Sequence, residues 1–526
     1  MDIQSFFNQL QTVSHDATSI VNRQLLISQG ESLEQSIHQF SQELARVDAD
    51  VNRRLTDYVS TVNITAESLA QINAQVIAAG DNASSDLLDQ RDRLLTSLSE
   101  LIDINTHTSP DGSLNVLVAN GRPLVLGTQS FELQTVADEF NPSRLQIAHV
   151  VGTRTDNISR QITGGELGGL LSFRQEALDP AKRNLGLVAF GLTESFNRQH
   201  AQGVDLNGNL GGNFFRSIPG VVTASSGNAG AGSVSVTIAD ATAVQPRDYL
   251  LRFDGATWQA TDSGSGALLT MSGSGTGIDP FVIDGLELVV TPGAVADDQF
   301  LVRAVSEAAV GFQMELSDPA AIAAANPVTT SVAFSNIGDA DVSVAQIDDS
   351  SNPALRQAVN IVFDDPTTYR IFDGGGTDLT GPQAFTSGAD IVFNGWRVSI
   401  SGSPVGGDSF GVEPTLSGSG DNGNVVELTG IRSRGFLDGG QTSVDDTIGN
   451  LVASVGGAAL RSAQSLSAQT VLRQQLELDV QNVSGVNLDE EAVNALRYQE
   501  AYLASSRLIK MADDLFLSVL NMIGRG

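Results

Sequence analysis

Two stretches near opposite ends of the chain carry a rhythm that long helices use. Close to the C-terminus, "SGVNLDEEAVNALRYQEAYLASSRLIKMADDLFLSVLNM" (484–522) places small or apolar side chains at alternating steps of three and four. They are Tyr498, Ala501, Ser505, Leu508, Ala512, Leu515, Val519 and Met522. That spacing is a heptad seam. Ile509, Phe516 and Ile523 widen it, and no glycine or proline interrupts the run before Gly524. Asn487 suits an N-cap, Glu490 completes a capping box, and Asp489 to Glu491 place negative charge at the positive end of the dipole. The pattern predicts one helix from Asn487, about 50 Å long. Taken alone, such a face most often packs inside its own domain.

The second stretch runs from Glu31 to Ala79. Leu33, Ile37, Phe40, Leu44, Val47 and Val51 keep the rhythm, Leu55 shifts it by a stutter, and Tyr58, Val62, Thr65, Leu69, Ile72 and Val76 resume it. Gly80 is the expected stop. A further helix is predicted over "DLLDQRDRLLTSLSELIDI", with Leu87, Arg91, Leu94, Leu98 and Leu101 on one side. The period then falls to two in "SLNVLVANGRPLVLG", a hairpin turning at Asn120-Gly121. Helical texture returns in "GELGGLLSFRQEALDPAKRNLGLVAFGLTESFNRQHAQG" and ends at the glycine-rich "VDLNGNLGGNFF".

From about Ser217 to Gly430 the texture is that of strands. The 53 glycines and only 6 % aromatic residues suit a turn-rich middle. An internal repeat runs through it. "YLLRFDG" resembles "VNIVFDD", "FVIDGLELVV" resembles "IVFNGWRVSI", and "DDQFLV" resembles "GDSFGV". Phe253 and Phe363, Gly285 and Gly395, and Phe300 and Phe410 all stand 110 positions apart. The expected fold class is therefore α+β and multidomain. A long helical bundle is built from both chain ends, with two tandem β-rich domains inserted between them. The boundaries expected are 1–216 for the N-terminal part of the helical core with a small β-hairpin, and 217–325 and 326–430 for the β domains. The C-terminal part of the core follows at 431–486, and a terminal assembly helix at 487–526.

Composition narrows the function. The chain of 526 residues carries 29 Lys and Arg against 61 Asp and Glu, a formal charge of −32. Such a surface repels nucleic acid and anionic lipid. No cysteine is present, so disulfides and thiolate metal sites are excluded. The N-terminus lacks the basic and apolar regions of a Sec signal peptide, and no run of 18 apolar residues exists. The histidines, His15, His38, His107, His149 and His200, show no metal spacing. "GSGDNG" at Gly418 fits G-x-G-x-x-G, but Asp421 would repel a phosphate and the context reads as β and loop. "DLNGNLGG" at Asp205 brushes the calcium-loop pattern with its glycine one place late, and reads as a turn. Carboxylate pairs such as Asp364-Asp365 are plentiful, and nothing in the sequence selects one for acid–base chemistry. No catalytic residue, cofactor, metal or small-molecule substrate is expected.

"VNLDEEAVNALRYQEAY" resembles the C-terminal signature of the bacterial flagellar axial proteins, and within that group the hook-associated protein 1 family of the hook–filament junction. "DLLDQRDRLLTSLSELIDI", "GGELGGLLSFRQEALDPAKRNL", "FNRQHAQGVDLNGNLGGNFF" and "GDSFGVEPTLSGSGDNGNVVEL" resemble the same family. The resemblance implies a structural, non-enzymatic protein. It would be exported unfolded by the flagellar type III system and assembled outside the cell into a ring. The partners implied are identical subunits, the hook protein, an adjacent hook-associated protein and an export chaperone, with no nucleic acid or membrane. Family members carry a further N-terminal segment whose helix pairs with the C-terminal one. Here "MDIQSFFNQLQTV" resembles a point already inside the helical domain. The expectation is a chain without that segment, whose seam, Tyr498 to Met522, pairs with the missing helix and with neighbouring subunits. The other reading kept open is a secreted β-rich binding module, an adhesin or carbohydrate binder.

Overall fold

A computed structural model describes residues 3–435, 441–484 and 488–523. Helices stand at both ends and β-rich sheets fill the middle. By its internal contacts the chain forms two compact units, Met1–Val455 and Gly456–Gly526.

The first unit is organised on one long helix. Helix α1 (Ile3–His15) leads into α2 (Ile20–Ala79), whose 60 residues extend about 90 Å. The Ser19 side chain caps α2 by accepting the Asn22 N–H. At the other end Gly80, at φ 56°, turns the chain out and returns its N–H to the Val76 carbonyl. The helix begins at Ile20, ahead of the Glu31 read from the rhythm. Gly30 does not interrupt it, because Met314 fills the space beside it: a Cβ there would lie 2.5 Å from Met314 Sδ.

Two hydrophobic clusters share α2. Its first half buries Leu26, Ile27, Leu33 and Ile37 against α1 and α5 (Asp179–His200). Phe6, Phe196, Phe214 and Phe215 form an aromatic knot there, with Phe6 and Phe196 centroids 5.3 Å apart. Its second half buries Val51, Leu55, Val62 and Leu69 against α3 (Ser85–Leu101), α4 (Gly165–Phe173) and two small antiparallel sheets. Between the halves Phe40 is exposed and Leu44 only half-buried. The hairpin Leu114–Val118 and Arg122–Leu126 is the centre of a four-stranded sheet, and Ala119, Asn120 and Gly121 all turn through positive φ. A three-stranded sheet over 132–157 completes this region.

The middle of the chain repeats one topology. A five-stranded antiparallel sheet centres on Asp248–Phe253, flanked by Trp258–Asp262 and Gln299–Arg303. The second centres on Val359–Asp365, flanked by Thr368–Asp373 and Ser409–Pro414. Register matches as well: Leu251 faces Phe300, and Ile361 faces Phe410. Each five-stranded sheet has a smaller companion, built on Leu286–Val290 in one and Trp396–Ser401 in the other. The cores differ in one respect. Tyr249, Leu251 and Phe300 merge with the helical core, whereas Ile361, Trp396 and Phe410 form a cluster of their own.

Past the strands the chain returns to the helices. Helix α6 (Ala308–Gly311) packs on α5 and α2, and α7 (Gly423–Gly430) packs on α1 and α5. Val425, Leu428 and Val444, the first residue of α8 (Val444–Ser484), join the core that contains Phe6. Elements from both ends thus share one core. The second unit, Gly456–Gly526, holds the rest of α8 and α9 (Leu488–Ile523).

Candidate assembly surfaces

Three buried polar side chains of the first unit, Arg23, His200 and Asn424, converge on the link between the two β units. That link, Pro319–Asn326, is rich in alanine, and Ile322 to Ala324 are buried. Small side chains allow close approach, but the exposed carbonyls of a buried strap need partners. Arg23 of α2 supplies them. It is 1 % exposed, donates from Nε to Ala17 O at 2.6 Å, and from Nη1 to Ile322 O at 2.6 Å and Pro319 O at 3.2 Å. Burial lowers its pKa to about 10 against the opposing charge of Asp205, so it remains a cation at neutral pH.

His200, at the end of α5, holds the next residue. Its Nε2 accepts the Ala323 N–H at 2.8 Å, so the proton rests on Nδ1, which donates to Gly212 O at 2.8 Å. Burial brings its pKa down to about 4, and the Gly212 carbonyl opposes the shift only in part. Asn424 of α7 closes the clamp, donating to Ala323 O at 2.6 Å and accepting from Gln199 Nε2 at 2.8 Å. The strap is therefore fixed by α2, α5 and α7 together.

A second polar centre lies where α4 passes into α5 through one π turn, Arg174–Leu178. The extra residue of such a turn re-aims a side chain. Arg174 reaches Leu145 O at 2.7 Å, Asn52 Oδ1 at 2.6 Å and, from Nε, Asp48 Oδ1 at 3.0 Å. Lys182 meets the same Asp48 at 2.7 Å, and Arg144 grips Asp179 with two bonds at 3.0 and 2.9 Å. These pairs border a groove of about 880 Å³ between α2, α5, α6, the turn at 138–146 and the first β unit.

The sequence motifs resolve as turns. Asp205 Oδ1 accepts the N–H groups of Asn207 and Asn209 at 2.8 and 2.7 Å, which closes its loop on itself. The "GSGDNG" segment joins strand Ser409–Pro414 to α7, so its context is strand–loop–helix, not β and loop alone. Asp421 fills that loop, taking the N–H groups of Asn326 at 2.8 Å and Gly423 at 3.0 Å. Among the described residues no three His, Asp or Glu side chains cluster as a metal site, and no helix is long and apolar enough to cross a membrane.

The seam residues all fall on α9. Tyr498, Ala501 and Ser505 share one face by spacing and are exposed. The side chains of Leu508, Ala512, Leu515, Val519 and Met522 lie outside the described residues, as does Asn487, the expected cap. Sequence reasoning passed over Arg23 and Arg174, and named His200 only among the histidines without metal spacing. A signal existed for the first: Arg23 stands in line with Leu26, Ile27, Gly30 and Leu33 on the apolar stripe of α2, a place for a cation only if backbone carbonyls meet it.

Comparison with known proteins gives consistent results. Residues 1–215 match the family described as "Flagellar hook-associated protein FlgK helical domain". Residues 223–304 match "Flagellar hook-associated protein 1, D2-like domain", and 480–522 match "Flagellar basal body rod FlgEFG protein C-terminal". The Flagellar hook-associated protein 1 of Salmonella typhimurium is 31 % identical over 99 % of this chain and 80 % of its own length. Its Escherichia coli counterpart is 28 % identical over the same shares. The solved structure of the flagellar hook junction protein FlgK from Burkholderia pseudomallei aligns with a TM-score of 0.82 at 30 % identity, over 92 % of this chain and 93 % of that one.

Proposed function

We propose a function on one premise: this chain belongs to the flagellar hook-associated protein 1 family. It is a structural component of the bacterial flagellum at the junction between hook and filament. It acts by assembling with copies of itself and with neighbouring hook components. One observation carries this reading: the architecture of a hook junction protein extends over 92 % of the chain, with helices at both ends and the β sheets between them.

The finer parts are our own reading. The chain leaves the cell through the flagellar export channel, with a chaperone guarding its terminal helices, and takes its place outside as one subunit of a ring. The β domains, 217–325 and 326–430, project from the helical core and pack laterally. The α9 seam, Tyr498 to Met522, carries the axial contacts with helices of neighbouring copies. Exposed Tyr498, Ala501 and Ser505 support this, since a seam used between subunits stays open in a single chain. The function is mechanical, and the clamps at Arg23, His200 and Arg174 suit it by binding sheets and helices into one stiff body.

The test is complementation of a motile bacterium that lacks its own family member. In a full-length background, with the N-terminal segment that family members carry, the parent sequence should restore filament attachment. Leu508→Asp or Leu515→Asp should abolish attachment and leave the β domains folded by circular dichroism. Full attachment by either variant would remove the seam from the mechanism.

A further inference from the structure

Loop 204–210, which closes on Asp205, is also the point where both passages to the second β unit are tied down. Besides the two amides held by Asp205 Oδ1, the Asp205 N–H donates to Asn209 O at 2.9 Å, and Gly208, at φ 82°, returns its N–H to Asp205 O at 3.1 Å. The backbone so fixed presents a row of partners. Val204 pairs with Ala325 in both directions, the Leu206 N–H donates to Ala320 O at 3.1 Å, and Leu206 O accepts the Gly418 N–H at 2.8 Å. Residues 320–326 lead into the second β unit and 416–418 lead out of it. One loop therefore holds the way in and the way out.

The second β unit needs such a fixing. Its core, with Ile361, Trp396 and Phe410, is separate from the helical core that the first β unit joins. A body with its own core, joined through two chain passages, turns about them unless a further contact stops it. Among the described residues a single hydrogen bond joins 328–414 to any residue before 320: Arg356 donates from Nη1 to Gly208 O at 2.6 Å. From Nη2 the same side chain donates to Thr415 O at 3.2 Å, at the start of the outward passage. The rigid fork of one guanidinium spans both carbonyls. The offset that relates Phe253 to Phe363 puts Pro246 opposite Arg356, so the first β unit has no such strut. It needs none, because its core is continuous with the helices.

We propose that Arg356 and loop 204–210 form a latch that sets the angle of the second β unit against the helical core. The loop is the seat, shaped by Asp205, and Arg356 is the positioning residue that locks the unit onto it. Without the strut the unit keeps its own core and swings on its two passages. The latch is a property of the single chain. Its use, to fix the direction in which the second β unit meets its surroundings in the junction, rests on the junction reading above.

The chain has no cysteine, so spin labels can be placed in pairs. Gln24→Cys on α2 with Val392→Cys in the second β unit reports the angle. Gln24→Cys with Ile278→Cys in the first β unit is the control, and all three sites are exposed. In the full chain each pair should give one narrow distance distribution by pulsed electron paramagnetic resonance. Arg356→Gln should broaden the Val392 distribution about twofold and leave the Ile278 distribution narrow. The Trp396 melting transition, read in a Trp258→Phe background, should stay in place. Asp205→Ala, which keeps Arg356 and removes the acceptor that shapes the seat, should broaden the same distribution. A Val392 distribution that stays narrow in Arg356→Gln overturns the latch. Equal broadening of both pairs, or a lowered Trp396 transition, overturns it too, since either means general loosening. A narrow distribution in Asp205→Ala removes the loop from the latch. A parent that fails to restore filament attachment defeats the junction reading and leaves the latch; a parent-like width in Arg356→Gln defeats the latch and leaves the junction reading.

Discussion

The imidazole Nε2 of His200 and the backbone N–H of Ala323 share a 2.8 Å hydrogen bond that only a neutral ring can make. Protonation would turn the acceptor into a donor facing an N–H, in a buried site next to the charge of Arg23, where the Gly212 carbonyl and Asp205 compensate only in part. The folded pKa of about 4 lies below the ordinary histidine value near 6.5. The clamp's contribution is therefore complete above pH ~6.5 and is lost as pH falls toward 4, an effect of about 3 kcal/mol. Melting followed by circular dichroism from pH 8 to 4 should show this slope. His200→Gln, which cannot take up a proton, should flatten it relative to the parent.

Arg23 holds the same strap by charge. Its removal leaves the Ala17 carbonyl without that donor and the Ile322 carbonyl with only the Ala324 N–H. Arg23→Met should cost about 3 kcal/mol in urea unfolding. Arg23→Lys should recover little, because one ammonium cannot reproduce the fork that spans Ala17 and Ile322. A lysine variant as stable as the parent would show that charge alone is at work.

These two residues mark where the sequence was legible and where it was not. The rhythm from Leu33 through Val76 and the stop at Gly80 were written in local pattern, and α2 follows them. The start at Ile20 was hidden because Gly30 reads as a breaker until Met314 is seen beside it. The repeat of Phe253 and Phe300 in Phe363 and Phe410 announced two like sheets, since matching strand positions keep their spacing when topology is kept. Nothing local announced that the first sheet fuses with the helical core and the second keeps its own, or that His200 meets Ala323 across 123 positions. Seams can be read from one helix; clamps need both partners in place.

Close approach gives a paired test. Gly186 of α5 lies so near the strand end that a Cβ would stand 1.9 Å from Val305 O, whereas beside Gly169 of α4 no atom lies within 4 Å. Glycine to alanine in an exposed helix normally stabilises by about 1 kcal/mol. Gly169→Ala should do so. Gly186→Ala should reverse the sign and cost about 1–3 kcal/mol through overpacking. Guanidinium denaturation of the two variants measures both.

The separate core of the second β unit permits a domain-selective prediction. Burial pushes the Asp408 carboxyl up, and the N–H groups of Val405, Ile337 and Gly338 together pull it below the ordinary value. Its stabilisation is thus present above the unfolded carboxylate pKa and lost as pH falls through the folded one. Asp408→Ala strands three amides at one point and loosens the loop that carries Phe334. The chain has two tryptophans, Trp258 in the first β unit and Trp396 fully buried in the core of the second. In a Trp258→Phe background, Asp408→Ala should lower the Trp396 melting transition by about 5 °C or more. In a Trp396→Phe background the Trp258 transition should hold still. Equal shifts at both would mean that the two β units melt as one, and that the strap clamped by Arg23 and His200 couples them more tightly than their separate cores imply.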